Sequence, residues 1–156
     1  KKLFHELKDK IPKVSITTDI IVGFPGETEE DFEETLKIYN ELKYDLAYTF
    51  IYSLREGTPA ANIKDDVPLE EKEERLQRLN KVVNKYAREN NEKYKDKIVP
   101  VLIEGYSDKG GKLMGYTDTM KLVNVLGDPS NIGSIKQVHI TEVKTWSMEG
   151  EIVSGK

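Results

Sequence analysis

The stretch Ser15-Ile-Thr-Thr-Asp-Ile-Ile-Val-Gly-Phe-Pro-Gly-Glu-Thr28 constrains the chain more than any other. Ile16, Thr18, Ile20 and Val22 alternate with Ser15, Thr17, Asp19 and Ile21, the period of two that defines a strand. The first set is mainly branched and apolar and suits packing beneath a helix. The second is mainly polar. A parallel strand covered on both faces reads apolar throughout, so a polar second face implies a lined cavity. An antiparallel strand with one wet face has the same alternation. The turn favours the parallel reading. Gly23 and Gly26 let backbone or ligand approach closely, and Pro25 fixes the bend between them. Thr28 is placed to cap the next helix, with Asp31 three residues on as an imperfect capping box. Strands that run through glycines into a helix N-terminus are where α/β proteins bind small, often anionic ligands.

What flanks this segment repeats its grammar. Lys1 to Lys10 reads as the end of a helix, with Leu3, Phe4 and Leu7 at helical spacing and Pro12 closing it. A start in mid-helix without methionine is the expectation for a piece of a longer protein. Glu29 to Lys43 forms a helix with Phe32, Leu36, Tyr39 and Leu42 as its apolar stripe and acids crowding its first turns. Leu46 to Arg55 reads as a second strand, with Ala47, Thr49, Ile51, Ser53 and Arg55 on one face and Leu46, Tyr48, Phe50 and Tyr52 on the other. Strands alternating with helices imply parallel pairing. Gly57 and Pro59 punctuate the loop that follows. Pro68 opens a long charged helix to about Lys95, whose single apolar seam is Leu76, Leu79, Val83, Tyr86 and Ala87. A solvated helix joining two domains is the simplest reading of it.

Composition sets outer limits. The chain of 156 residues, 37 % hydrophobic and 33 % charged, is that of a globular protein with one medium or two small domains. No apolar run approaches the ~20 residues of a membrane helix, no signal-peptide pattern opens the chain, and cytoplasm is the default location. Cysteine is absent. That excludes disulfides, thiolate catalysis and any iron–sulfur cluster held by this chain's own cysteines. The net charge of −4 falls entirely in residues 1–96, which carry 17 basic and 21 acidic side chains. Residues 97–156 carry seven of each. Neither part has the basic excess that by itself announces nucleic acid.

Beyond Lys97 the periodicity changes. Ile98–Ile103, Lys112–Thr117, Lys121–Leu126, Ile135–Val143 and Glu151–Ser154 are short strand candidates separated by glycines. Five strands in about sixty residues fit a small all-β barrel of the oligonucleotide-binding type. His139 shares a face with Gln137 and Thr141, which makes it a solvated residue, and with only His5 besides it no metal site is assembled. Trp146 fits either a plug at the barrel end or a platform for stacking bases, with the plug favoured.

Three segments together carry a family resemblance. Thr18-Asp-Ile-Ile-Val-Gly-Phe-Pro-Gly-Glu-Thr28 resembles the fifth-strand segment of radical S-adenosylmethionine methylthiotransferases. Tyr48-Thr-Phe-Ile-Tyr-Ser-Leu-Arg-Glu-Gly-Thr-Pro-Ala60 resembles their sixth strand and following loop. Gly115-Tyr-Thr-Asp118 and Lys144-Thr-Trp-Ser-Met-Glu-Gly-Glu151 resemble the TRAM domain that ends them. The arginine of the second segment and the Lys-Thr-Trp-Ser tail are most similar to the tRNA branch, which adds a methylthio group to N6-isopentenyladenosine beside the anticodon. Sister branches modify threonylcarbamoyladenosine or a ribosomal protein aspartate.

The resemblance implies an α/β fold: the C-terminal part of a radical S-adenosylmethionine (partial TIM-like) barrel over residues 1–67, a connecting helix over 68–96, and a small OB-like TRAM barrel over 97–156. The intact enzyme would use S-adenosylmethionine and two 4Fe–4S clusters, whose cysteines would lie upstream, so that this piece alone would be inactive. Ile21, Gly23, Phe24, Pro25, Gly26 and Glu27 would border the cofactor's adenine and methionine parts. Ser53 and Arg55 would face the same mouth, where barrels place their active sites. Arg55's forked donors suit a carboxylate or phosphate; a surface ion pair is the alternative. Asp19 is balanced between a polar core position and a functional one. Lys112, Tyr116, Lys121, Lys144 and Trp146 are the RNA-binding candidates, with a tRNA anticodon stem-loop as partner and no membrane. Self-association through the cut barrel edge is a further expectation. A stand-alone RNA-binding module, or an interaction protein using its acidic helix, are the alternatives outside the enzyme class.

Overall fold

The computed structural model describes residues 1–108 and 110–153. The chain divides into two compact units, one of Lys1–Asp9 with Ile16–Tyr86 and one of Lys10–Ser15 with the residues from Ala87 onward.

The first unit is built on two strands, β1 (Thr17–Val22) and β2 (Leu46–Ile51), paired in parallel from Thr17↔Leu46 to Val22↔Ile51. Helix α1 (Lys2–Lys10) precedes them and α2 (Glu29–Leu42) joins them. The expected capping box is formed: Thr28 Oγ1 accepts the Asp31 N–H at 3.2 Å, and the Asp31 carboxylate accepts the Thr28 N–H at 3.0 Å. Such a cap is worth about 1 kcal/mol. Lys43, left-handed at φ 52°, ends the helix and donates its N–H to the Tyr39 carbonyl. Parallel pairing settles the choice left open by the alternation of β1.

One face of this sheet is covered. Val22 and Ala47 pack with Phe32 and Tyr39 of α2 and with Leu79, Val83 and Tyr86 of α3 (Leu69–Glu92). The seam of α3 is therefore core, and the expectation of a solvated connecting helix is corrected for this part of it. The glutamates, lysines, arginines and leucines of this helix are good helix formers, and removing its apolar side chains from water fixes it against the sheet. The other sheet face is open: Ile21, Tyr48 and Phe50 are 54 %, 56 % and 51 % exposed.

Strand β2 stops at Ile51, short of the expected Arg55. Gly23, at φ 71°, turns the chain away after Val22, and the Tyr52 N–H makes the last bond, to the Val22 carbonyl. Among the described residues, Ser53, Leu54 and Arg55 pair with no strand. A second correction follows. Thr49 lies on the helix-covered face, its hydroxyl donating to Asn80 of α3 at 2.7 Å. Ile21 pairs with Phe50 on the opposite face. Alternation therefore does not carry Arg55 to the side that Ile21 occupies.

The second unit is a closed barrel in the order β3-β4-β5-β7-β6. Its strands are β3 (Ile98–Tyr106), β4 (Leu113–Thr117), β5 (Leu122–Leu126), β6 (Ile135–Val143) and β7 (Met148–Ile152). Closure comes from the parallel β5–β7 pair, which leaves no free edge. The core is Val101, Ile103, Leu113, Val123, Val125, Val138, Ile140, Val143 and Met148. Gly115 is required where β3 and β4 meet, since a Cβ there would lie 2.1 Å from the Leu102 carbonyl oxygen. β7 begins three residues before the expected Glu151, and Ser154 lies outside the described residues. Met148, Glu149 and Gly150 are buried in the strand although an acid and a glycine ordinarily read as strand-breaking.

Candidate functional site

The turn after β1 is held from behind. Gly23 and Gly26 adopt φ 71° and 84°, which only glycine takes without strain. The Gly23 N–H donates to Glu27 Oε1 at 2.9 Å, and the Gly26 N–H donates to Asp66 Oδ1 at 2.7 Å. Both amides that a bound anion would seek thus already hold a carboxylate of this chain. Glu27 is engaged again from α3: Arg75 Nη1 donates to its carbonyl at 3.0 Å and to Oε1 at 2.9 Å.

Arg75 is 1 % exposed and also pairs with Glu71 and Glu29. Beside it Arg78 makes a forked contact to Glu29 at 2.6 and 2.9 Å and stacks over Phe32. Hydrogen bonding from Arg78 holds the Glu29 carboxyl below its ordinary range. Lys72, also buried, pairs with Asp65 at 2.6 Å and lies over the Tyr52 ring, against which Phe24 packs edge-on at 5.2 Å. These cations are a feature that sequence reading missed. A signal was present: Lys72 and Arg75 fall in phase with Leu76, Leu79 and Val83 on one side of α3, so the apolar seam predicted their burial.

The exposed part of the region is apolar with a cation nearby in sequence. Ile21 and Phe50 are register partners on the open sheet face, and Phe24 in the turn is also exposed. Pro25 is buried. Asp19, opposite Tyr48, is exposed on that face. Ser53 and Arg55 are exposed, and the Arg55 carbonyl accepts from the Thr58 hydroxyl at 2.8 Å. Among the described residues the Arg55 guanidinium forms no ion pair.

In the barrel the five RNA-binding candidates fall into two sets. Lys112 and Lys144 converge on Glu149, Lys144 at 2.9 Å. Glu149 is 6 % exposed; burial pushes its carboxyl up, but hydrogen bonds from the two lysines outweigh this and hold it below the ordinary value. Lys144 is held charged by the same bond. Its N–H donates to the Ser147 carbonyl, closing a turn with Trp146 at its tip. Trp146 is 54 % exposed, so the barrel-plug reading is corrected. Asn91, another residue that sequence reading passed over, donates from Nδ2 to the Lys144 and Thr145 carbonyls at 3.0 Å each and fixes that turn. Tyr116, half-buried, pairs with Leu122 next to Lys121. The β5–β7 register Val123↔Met148 brings Lys121 to the barrel end that carries Trp146.

Among the described residues no three His, Asp or Glu side chains are arranged to hold a metal, and no helix is long and apolar enough to cross a membrane. Residues 92–153, which hold the closed barrel, match the TRAM domain family. Over 97 % of its length the chain is 54 % identical to the tRNA-2-methylthio-N(6)-dimethylallyladenosine synthases of Bacillus cytotoxicus and Bacillus thuringiensis, and 56 % identical to that of Bacillus cereus strain B4264. It spans 30 % of the length of these curated relatives. The chain thus matches a TRAM-bearing segment of the methylthiotransferase family, as its motifs indicated.

Proposed function

We propose that this chain is the part of a tRNA-modifying methylthiotransferase that walls one side of the cofactor site and grips the RNA. The observation that carries the reading is the similarity over nearly the whole chain to relatives named as tRNA-2-methylthio-N(6)-dimethylallyladenosine synthases. Their name supports a tRNA adenosine as substrate in preference to a ribosomal protein. The substrate would be N6-isopentenyladenosine beside the anticodon.

S-adenosylmethionine, when bound, would supply the radical chemistry of such an enzyme. The residues present fit it in part. Ile21, Phe24 and Phe50 offer an apolar wall for adenine, and the unpaired Arg55 guanidinium suits the carboxylate of its methionine part. Gly23, Pro25, Gly26 and Glu27 shape that wall; their amides and carboxylate serve the turn itself. Ser53 adds a hydroxyl at the same loop. Cluster chemistry does not fit this chain's own side chains, which include no cysteine. Both 4Fe–4S clusters would be held elsewhere in the intact enzyme, and anaerobic reconstitution of this chain alone would leave it without a stoichiometric cluster.

The barrel contributes phosphate contacts from Lys112, Lys144 and Lys121 and stacking from Trp146 and Tyr116. The open apolar face of β1 and β2 favours association of the isolated chain with a second copy.

The test uses the intact enzyme and Arg55. If the guanidinium clamps cofactor or substrate, Arg55→Lys is nearly as damaging as Arg55→Ala, because lysine keeps the charge and loses the planar fork. Both lose about ten- to a hundred-fold in turnover of an anticodon arm, the equivalent of roughly 1.5–3 kcal/mol. Full activity in Arg55→Lys contradicts the clamp.

A further inference from the structure

We propose that Arg75 is the positioning residue of the cofactor turn: reaching from α3, it sets the conformation in which Gly23 to Glu27 meet S-adenosylmethionine. The inference rests on the cofactor reading above and adds a residue that lies 48 positions beyond the turn and outside the strand and loop motifs.

The connection is continuous. One guanidinium nitrogen of Arg75 binds both the carbonyl and the carboxylate of Glu27, and the same carboxylate oxygen accepts the Gly23 N–H. The other end of the turn is tied to the segment just before α3, where Asp66 accepts the Gly26 N–H. Lys72, one helical turn before Arg75 and paired with Asp65, closes the space over Gly23, since a Cβ there would come within 2.3 Å of the Lys72 Cγ. The turn closes on itself through the Glu27 N–H, which donates to the Phe24 carbonyl at 2.8 Å, and residues 65–75 brace both of its positive-φ glycines from outside.

A buried guanidinium is a poor device for stability alone. At this seam position a methionine or leucine in phase with Leu76 and Leu79 would fill the space without the cost of desolvating a charge. What an apolar side chain lacks is a charged donor: one guanidinium nitrogen holds two Glu27 oxygens while the other is anchored on Glu71, a division that the planar fork allows. With Arg75 in place the turn is organised before any ligand arrives, so binding does not pay for ordering it.

The experiment is hydrogen exchange with mass spectrometry on the intact enzyme, free and with S-adenosylmethionine, alongside the equilibrium affinity for S-adenosylmethionine and kcat and KM for it. In the wild type S-adenosylmethionine slows exchange of the peptide containing Gly23 and Gly26. If it does not, the cofactor reading fails, and the proposal with it. In Arg75→Lys the same peptide of the free enzyme exchanges about ten-fold faster, while peptides of β3 to β7 are unchanged. Affinity falls about ten-fold and KM rises to match, with kcat kept within about two-fold. Arg75→Met gives the same loss of affinity with an unfolding temperature no lower than that of Arg75→Lys. Exchange and affinity both at wild-type level in Arg75→Lys overturn the proposal. Faster exchange with unchanged affinity also overturns it, leaving Arg75 a structural ion pair. Should Arg75→Lys not fold, Glu71→Gln removes one exposed partner of the guanidinium, and about a two-fold change in the same two quantities is the supporting result; wild-type values for both overturn the proposal.

Discussion

The two units bury charge in opposite senses. In the α/β unit the buried group is a cation, Arg75, ringed by Glu27, Glu29 and Glu71. In the barrel it is an anion, Glu149, held between Lys112 and Lys144. The first arrangement turns charge inward and spends it on a backbone turn, leaving an apolar wall outside. The second closes two partly exposed lysines on one buried carboxylate, beside a turn that carries an exposed tryptophan. The sheets differ in the same direction. A barrel of five strands satisfies its own edges, whereas two strands leave Ile21, Tyr48 and Phe50 facing out. Net charge, zero over residues 97–156, shows nothing of the pairing inside the barrel.

The largest effect is expected at Gly115. In Gly115→Val the new side chain meets the Leu102 backbone, which cannot yield without opening the β3–β4 pair. A loss of about 3 kcal/mol or more is expected, read as cooperative urea unfolding of the barrel. Barrel stability at the wild-type level would break the account of closure.

Next is Glu149→Gln, with a loss of about 1–2 kcal/mol at neutral pH, discounted because both lysines are partly exposed. The carboxyl lies below its ordinary value in the folded state. Its stabilisation is therefore complete above the unfolded value near 4.3 and is lost as pH falls through the folded value. The wild-type barrel should lose stability below about pH 4.5, and the glutamine variant should lose less. Parallel acid-unfolding curves for the two would contradict the pairing.

Smaller still is Tyr39→Phe. The Tyr39 hydroxyl is buried with no hydrogen-bond partner among the described residues, and burial, with lesser help from Asp45 and Tyr44, pushes it up to about 12. The variant should stay within about 1 kcal/mol of wild type at neutral pH. The folded state keeps this proton above pH 10, where the unfolded chain loses it, so wild-type stability falls between about pH 10 and 12. Phenylalanine should remove that loss. Smallest in stability is Phe50→Glu on the open sheet face, with a change of about 0.5 kcal/mol or less. It should lower self-association in light scattering; unchanged association would move the contact elsewhere.

Much of this was legible in the chain. The capping box at Thr28, the parallel pair, the stripe of α2 and all five barrel strands follow from short periods and turn residues. What escaped depended on tertiary context. The end of β2 is set by where β1 stops, so alternation ran past Ile51 to Arg55 and put it on a face it does not share with Ile21. Burial of Lys72 and Arg75 was hidden because charged residues on a charged helix read as solvated, although their phase with Leu79 said otherwise. Glu149 and Gly150 hid the start of β7 for the same reason: an acid enters a strand when two lysines are waiting. Trp146 showed the reverse, a large aromatic that the fold leaves in solvent.

The division of labour between wall and grip is tested most directly by titrating the chain with a tRNA anticodon arm across a range of salt. The account predicts binding whose logarithm falls linearly with the logarithm of salt concentration. Lys112→Ala and Lys144→Ala should each lower the slope by about one, and Trp146→Ala should weaken binding at an unchanged slope. Phe50→Glu should leave both untouched. Binding that ignores salt, or barrel variants that bind as wild type, would contradict it.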